Sequence, residues 1–344
     1  MVEITIRGAG IFGLSIAWEC VKRGASVQVI DPNGPGAGSS GGLVGALAPH
    51  VPENWNAKKA FQFDSLILAE QFWSEVSREG GSSAGYARTG RLQPLPDEAS
   101  VQRARERGEN ARDLWQGKAS WEVIRSAELG DWVPLSKSGW IVRDTLSARL
   151  HPRMACTALV NALDKRGVPV LREGVDLGKM VWATGVAGLE ALSGDMKKSV
   201  GTGVKGQAAL LQLNRADLPQ LFADTVHIVP HENGTVAIGS TSEGDYSDPT
   251  STDIQLDDVV ARAITAVPAL RNAEVIERWA GVRPRSKSRA PMLGQWPGRN
   301  GHFIANGGFK IGFGMAPKIA QVMADLLLEE RDAIPDDFRV SASL

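Results

Sequence analysis

Along the first thirty residues the apolar positions change period twice. Val2, Ile4 and Ile6 alternate with polar neighbours, the period of two that turns one side of a strand toward a core. Ile11, Leu14, Ile16, Ala17, Cys20 and Val21 then recur at helical spacing, and Ser26 to Ile30 returns to alternation. The same reading predicts a long amphipathic helix over 57–79, a polar helix over 97–116, and a helix over 151–166. Pro152 falls in the first turn of the last of these, where a missing N–H costs little. Short strand-like pieces surround the polar helix within 86–146. Further strands are predicted at Val168–Leu171 and Lys179–Ala183, and a strand-rich stretch runs from Gly203 to about Ser242 (GQAALLQL, VHIVPHENG, TVAIGSTSE). A helix over 255–266, a strand over 274–282, a strand at HFIAN and a helix over 315–329 complete the chain.

The alternation also predicts how the sheet is covered. The first strand turns Glu3, Thr5 and Arg7 away from its apolar face, and the second does the same with Ser26 and Gln28. Parallel strands buried on both faces read as continuous apolar runs. The polar face is therefore expected to be exposed or only thinly covered. The seven residues REGVDLG are all that separate the strands predicted at 168–171 and 179–183.

Between the first strand and helix, Gly8, Gly10 and Gly13 have the spacing G-x-G-x-x-G, and Asp31 ends the second strand 18 residues beyond Gly13. Such glycines permit a tight turn, close approach of backbone to a pyrophosphate, and close packing of helix on strand. The helix N-terminus offers unpaired N–H groups, here around Ile11 and Phe12, and the acid can accept from a ribose hydroxyl. This pattern points to a dinucleotide without separating NAD from FAD. Three further stretches bear on that choice. GPGAGSSGGLVGALAPH (34–50) follows where an NAD-binding unit would continue with another helix; its Ser39, Ser40, Gly45 and Ala46 suit a cofactor lying along the backbone. VWATGVAG (181–188) is a buried strand ending in Ala183, Thr184 and Gly185. ANGGFKIGFGMAPKIA (305–320) opens a last helix on a glycine turn through Gly308, Phe309, Lys310, Ile311 and Gly312, and that N-terminus would stabilise negative charge on a reduced ring.

Composition narrows the partners. At 344 residues the chain is long enough for two domains, with an ordinary 43% hydrophobic and 22% charged content. A net charge of −1 argues against a broad nucleic-acid or anionic-membrane surface. No apolar run approaches the roughly 20 residues of a membrane span, and no secretory signal is visible. Cys20 and Cys156 both fall in predicted helices and show no metal spacing, so both are read as small core residues, no metal is expected, and a cytoplasmic location is the default.

Together GAGIFG, SSGG followed by ALAP, WATG, GVRP and GGFKIGFGMAP resemble the D-amino acid oxidase superfamily of FAD enzymes, within it the glycine oxidase and sarcosine oxidase branch. The resemblance spans nearly the whole chain. It implies an α/β fold of two lobes: a Rossmann-like FAD-binding lobe, with a parallel sheet and helices, from 1–50, 150–202 and 281–344, and a substrate lobe, with an antiparallel sheet and helices, from 51–149 and 203–280. Val175 joins the implied cofactor contacts. FAD is expected to be non-covalent, because neither cysteine lies in the closing segment and the SSGG loop has no His. Relatives usually place a small β-meander where REGVDLG stands.

The implied reaction is oxidation of the C–N bond of a small amino acid or N-substituted glycine, with O2 or another acceptor reoxidising the flavin. Arg283, in GVRP, matches the arginine that holds the substrate carboxylate, a task for which a planar fork is suited. Lys310 matches a position held by Arg in glycine oxidases, as a second carboxylate contact or a flavin-side cation. His227 falls where glycine oxidases carry a substrate-binding tyrosine, a position that neither Tyr86 nor Tyr246 matches, and His50 follows the early flavin loop. His151, His231 and His302 are read as structural. The run Arg283, Arg285, Lys287, Arg289, with Ser288 where glycine oxidases typically have Asp, suggests a dianionic substrate; the competing reading sends Lys287 and Arg289 to solvent. An enzyme modifying a tRNA-linked aminomethyl group, a non-catalytic flavoprotein subunit of a larger complex, and a homo-oligomer remain open alternatives.

Overall fold

The protein is described by a computed structural model covering residues 1–344. Two sheets organise it. In the first, six strands lie in the order Met292–Gln295, His302–Asn306, Lys179–Trp182, Ile4–Arg7, Val27–Ile30, Val170–Leu171, and all neighbours are parallel except the first pair. Helices Ile11–Lys22, Pro152–Lys165 and Gly312–Glu329 share one core with Ile4, Ile6, Val27 and Val29, the apolar set that the alternation singled out. Cys20 and Cys156 are buried in this core, and burial pushes both thiols up to about 12.

The opposite face of this sheet has no meander. Residues 172–178 cross it as a single strap, bonded to the polar side chains of the strands. Thr5 Oγ1 donates to the Leu177 carbonyl at 2.7 Å and accepts from its N–H at 3.0 Å. Gln28 Nε2 donates to the Val175 carbonyl at 2.7 Å, and Arg7 reaches Asp176 and the Gly174 carbonyl. The cover is thin, as the alternation predicts: Val175 is 75% exposed and Leu177 44%. Thr5, however, is fully buried, because the strap passes directly over it.

The second sheet has eight strands in the order Glu274–Ser286, Gly201–Gln212, Thr235–Gly239, Val226–Pro230, Gln220–Ala223, Arg91–Pro94, Trp140–Asp144, Trp121–Arg125, nearly all antiparallel. Helix Ile254–Ala266 packs on one face, burying Ala209, Leu211, Leu221, Val226, Ile228, Val236 and Ile238.

Several predicted boundaries move for identifiable reasons. The strand predicted over 274–282 continues to Ser286 along its pairing with Gly201–Gln212, so Arg283 to Ser286 are strand as well. Pro284 is tolerated because this is an edge strand, whose outer side needs no N–H. The closing helix begins at Gly312 instead of 315. Helix Gly185–Met196 was hidden by the three glycines in GVAGLEALSGDM. No helix is long and apolar enough to cross a membrane.

Candidate active site

The glycine turn divides its labour. A Cβ at Gly8 would overlap the Ala183 carbonyl, and one at Gly13 the Gly8 carbonyl, so these two glycines serve the packing of turn, strand and helix. A Cβ at Gly10 would meet only Ser40 Oγ, at 3.2 Å, leaving this side of the turn open. In the first helical turn, Ile11 N–H donates to Ser40 Oγ at 3.0 Å, while the N–H groups of Phe12 and Gly13 find no protein acceptor. Buried donors without partners are uncommon, and here they stand where a helix dipole already favours an anion. Asp31 holds the turn through Ala9 N–H at 2.8 Å and Asn33 N–H at 2.9 Å. Ser39 and Ser40 form a single 3-10 turn. Gly45 must lack a side chain because the Leu150 carbonyl lies against it, and Ala46 pairs with Arg149. Ala183 N–H bonds the Arg7 carbonyl, Thr184 precedes helix 185–196, and Gly185, at φ +60°, faces open space. Val175 lies exposed on the strap, its carbonyl accepting from Gln28 Nε2.

The closing turn meets the first helix. A Cβ at Gly308 would fall 2.8 Å from Phe12 Cζ, so the absence of one lets the two segments touch. Phe309, at φ +43°, donates its N–H to the Pro284 carbonyl at 3.0 Å and thereby ties the turn to the strand carrying Arg283. Ile311 N–H bonds the Gly308 carbonyl, and helix Gly312–Glu329 starts without a side-chain cap.

The eight-stranded sheet supplies the other wall. On the face turned away from helix 254–266, cross-strand partners run Trp279, Ala208, Gly239, His227 and Phe222, with Gly281 opposite Gly206 in the next row. Three of these positions are glycine, so the face is low where the other is filled. Arg283 uses the space: a Cβ at Gly206 would overlap both terminal nitrogens of its guanidinium. That group is buried and donates to Ser240 Oγ at 2.7 Å and the Thr241 carbonyl at 3.3 Å, with no carboxylate partner. Burial pushes its pKa down to about 10, opposed by the charge of Glu243. Glu243 is itself engaged by Gln207, Thr241 and Lys205.

Lys310 lies within electrostatic reach: lost hydration holds its ammonium below the ordinary value, and Arg283 adds to this. His227 is pushed down to about 3 by burial, with the charges of Arg91 and Lys310 contributing, and its Nδ1 is buried without a partner. Lys310 thus lies within electrostatic reach of both Arg283 and His227. His50 is exposed, and its backbone N–H and ring Nδ1 both meet Gln62 Oε1 on helix Ala57–Gly80. The rings of His151 and His231 lie 4.4 Å apart in the interior, and His302 Nδ1 accepts from Trp182 Nε1. Lys287 and Arg289 are exposed. The roles of Gly206, Ser240 and Thr241 were not foreseen. The alternating small residues Gly206 and Ala208 are the signal that could have marked this face.

A cofactor cradle facing a small-residue wall with an unpaired buried arginine agrees with the comparisons to known proteins. The model of the family described as FAD dependent oxidoreductase matches residues 3–326. The chain belongs to that family. Among curated relatives, the glycine oxidase of Bacillus subtilis is 26% identical, the match covering 95% of this chain and 93% of that one. Among solved structures, the iminodiacetate oxidase of Chelativorans sp. BNC1 superimposes with a TM-score of 0.84 at 20% identity, covering 98% of both chains. Glycine oxidase from Geobacillus kaustophilus does so at 0.83, also at 20% identity over 98% of both. The protein is an FAD-dependent oxidoreductase. The unpartnered Phe12 and Gly13 N–H groups and the open side of Gly10 fit a pyrophosphate, and the uncapped helix at Gly312 fits the anionic end of a flavin ring.

Proposed function

We propose that this oxidoreductase oxidises the C–N bond of a small amino acid or N-substituted glycine, and that Arg283 anchors the substrate carboxylate. The observation that carries this reading is the Arg283 guanidinium: buried, low in its glycine slot, and with no acid to neutralise it. A buried unpaired cation is costly, and a carboxylate taken bidentately offsets that cost. Ser240 and Thr241 engage two of its five N–H groups, and the remainder are free to face a ligand. Lys310 adds positive charge at the mouth. His227, neutral near pH 7, offers a ring nitrogen that hydrogen-bonds the substrate amine without charging it.

Gly8, Gly10, Gly13, Asp31, Ser39, Ser40, Gly45, Ala46, Ala183, Thr184, Gly185 and residues 308–312 hold FAD non-covalently in this reading, with Val175 at the adenine end. When bound, FAD would supply the two-electron acceptor for oxidation at the α-carbon. The chain's own contribution is to fix that carbon by its carboxylate and to stabilise the charge that develops, through the N-terminus of helix 312–329. Loss of a hydride and a proton leaves an imine, and water then gives a 2-oxo acid and ammonia or an amine. The names of the glycine oxidases and the iminodiacetate oxidase among its relatives support the same class of substrate.

Anaerobic titration of the yellow holoenzyme with glycine, sarcosine, D-alanine and iminodiacetate tests the reading. At least one should bleach the flavin absorbance. A flavin that no member of an amino-acid panel reduces would leave a binding subunit instead. Acid precipitation should release all colour to the supernatant; a yellow pellet would mean covalent attachment.

A further inference from the structure

We propose that the substrate of this site carries a second acidic group, and that Arg285 receives it. The inference rests on the carboxylate reading of Arg283. Arg283 and Arg285 are two residues apart on one strand, so both project from the same face, with Cα atoms roughly 6.6 Å apart. An amino diacid has about that reach between its ends. Arg285 Cζ lies 5.7 Å from the centre of the Phe309 ring, and Lys310 Nζ lies 5.6 Å from the same centre. Phe309 is bonded through its N–H to the Pro284 carbonyl, between the two arginines in sequence. One aromatic ring therefore lies beside both Arg285 and Lys310, on a turn bonded to the strand that carries Arg283.

Neighbouring cations of the same sheet are paired: Arg91 with Asp144 at 3.0 Å, and Lys205 with Glu243 at 3.8 Å. Arg283, Arg285 and Lys310 form no ion pair. A single carboxylate occupies the Arg283 fork with Lys310 beside it, which leaves Arg285 as surplus positive charge in a partly dry site. A second carboxylate neutralises it, and long-range attraction speeds capture of a dianion. Lys287 and Arg289, exposed on the outer side of the turn, take no part.

The experiment compares kcat/KM for D-aspartate and D-glutamate with that for glycine and D-alanine, at low and high ionic strength. The proteins are the wild-type holoenzyme, Arg285→Gln, Arg285→Lys, and Lys287→Gln as an exposed control. The diacids should be preferred by the wild type, with the steeper salt dependence. Arg285→Gln should lower the diacid-to-monoacid ratio by about 10- to 100-fold, the worth of one charge-assisted contact. Arg285→Lys should restore part of the ratio, and Lys287→Gln should leave it unchanged. Monoacids preferred at both salts would overturn the inference while leaving the amino-acid reading intact. So would a ratio unmoved in Arg285→Gln, or loss of flavin from both Arg285 variants, which would place Arg285 on the cofactor. If no amino acid reduces the flavin, the reading of Arg283 fails first.

Discussion

The two faces of the eight-stranded sheet share one backbone ladder and differ in almost everything their side chains do. Toward helix 254–266 the alternate positions are Ala209, Leu211, Leu221, Val226, Ile228, Val236 and Ile238, closed by Leu256, Val259 and Ala263 into one apolar core. Toward the cofactor cradle the intervening positions include Gly206, Ala208, Ala237, Gly239, Gly281, His227 and Arg283. Filling one face fixes the sheet, and lowering the other makes room for a charged group that no folding argument requires. Burial at one residue and a ligand slot at the next is affordable only because strand side chains alternate.

The first way to break this comparison is to hollow the filled face. Ile238 is fully buried, and Ile238→Ala should cost about 3 kcal/mol of stability, seen as a lower urea midpoint, while the folded variant keeps its substrate half-saturation. A large change in substrate affinity with little loss of stability would mean the two faces are not separable.

A smaller effect comes from His227 on the open face. Its folded pKa of about 3 lies below the ordinary 6.5, so the unfolded chain binds the extra proton between these values. The neutral ring's contribution is fully present above pH 6.5 and is lost as pH falls toward 3. Wild type should therefore lose roughly 2 kcal/mol between pH 7 and 5 through this residue alone, a loss absent in His227→Gln. Urea midpoints at the two pH values measure the difference, and equal losses in both proteins would mean His227 is solvated. His231, also pushed to about 3, gives both proteins a common background slope.

The finest test is one methyl group. Gly206→Ala should displace the Arg283 guanidinium and raise the half-saturating substrate concentration about tenfold, or about 1.4 kcal/mol, with kcat and melting temperature changing far less. A fall in stability with unchanged half-saturation would reduce Gly206 to a packing residue.

How much of this was legible in the sequence depended on how local each signal was. The period changes before Ile30 and the glycine spacing are short-range, and they located the first strand, turn, helix and second strand almost to the residue. The polar face of strand Ile4–Arg7 correctly implied a thin cover, because a missing layer leaves its mark on the residues it would have buried. Helix 185–196 was invisible because its glycines score against helix, whereas its packing against the strands at 201–212 and 274–286 is tertiary. The strand predicted over 274–282 stopped short of Arg283, and only the sheet order reveals that an edge strand accommodates Pro284 and runs on to Ser286. Arg283, Lys310 and His227 were named from motif positions, but Gly206, which shapes the slot, lies 77 residues before Arg283 and becomes meaningful only through the strand register. His50 follows the early flavin loop in sequence, and its contacts with Gln62, which hold both its backbone and its ring, come from the fold alone.

The central claim is that the lowered face binds an amino-acid carboxylate on Arg283. Its most direct test is the substrate dependence of anaerobic flavin reduction in wild type and Arg283→Ala. The account predicts a saturable dependence in the wild type that moves to much higher concentration in the variant, with flavin content near normal. Superimposable curves for the two proteins would contradict it.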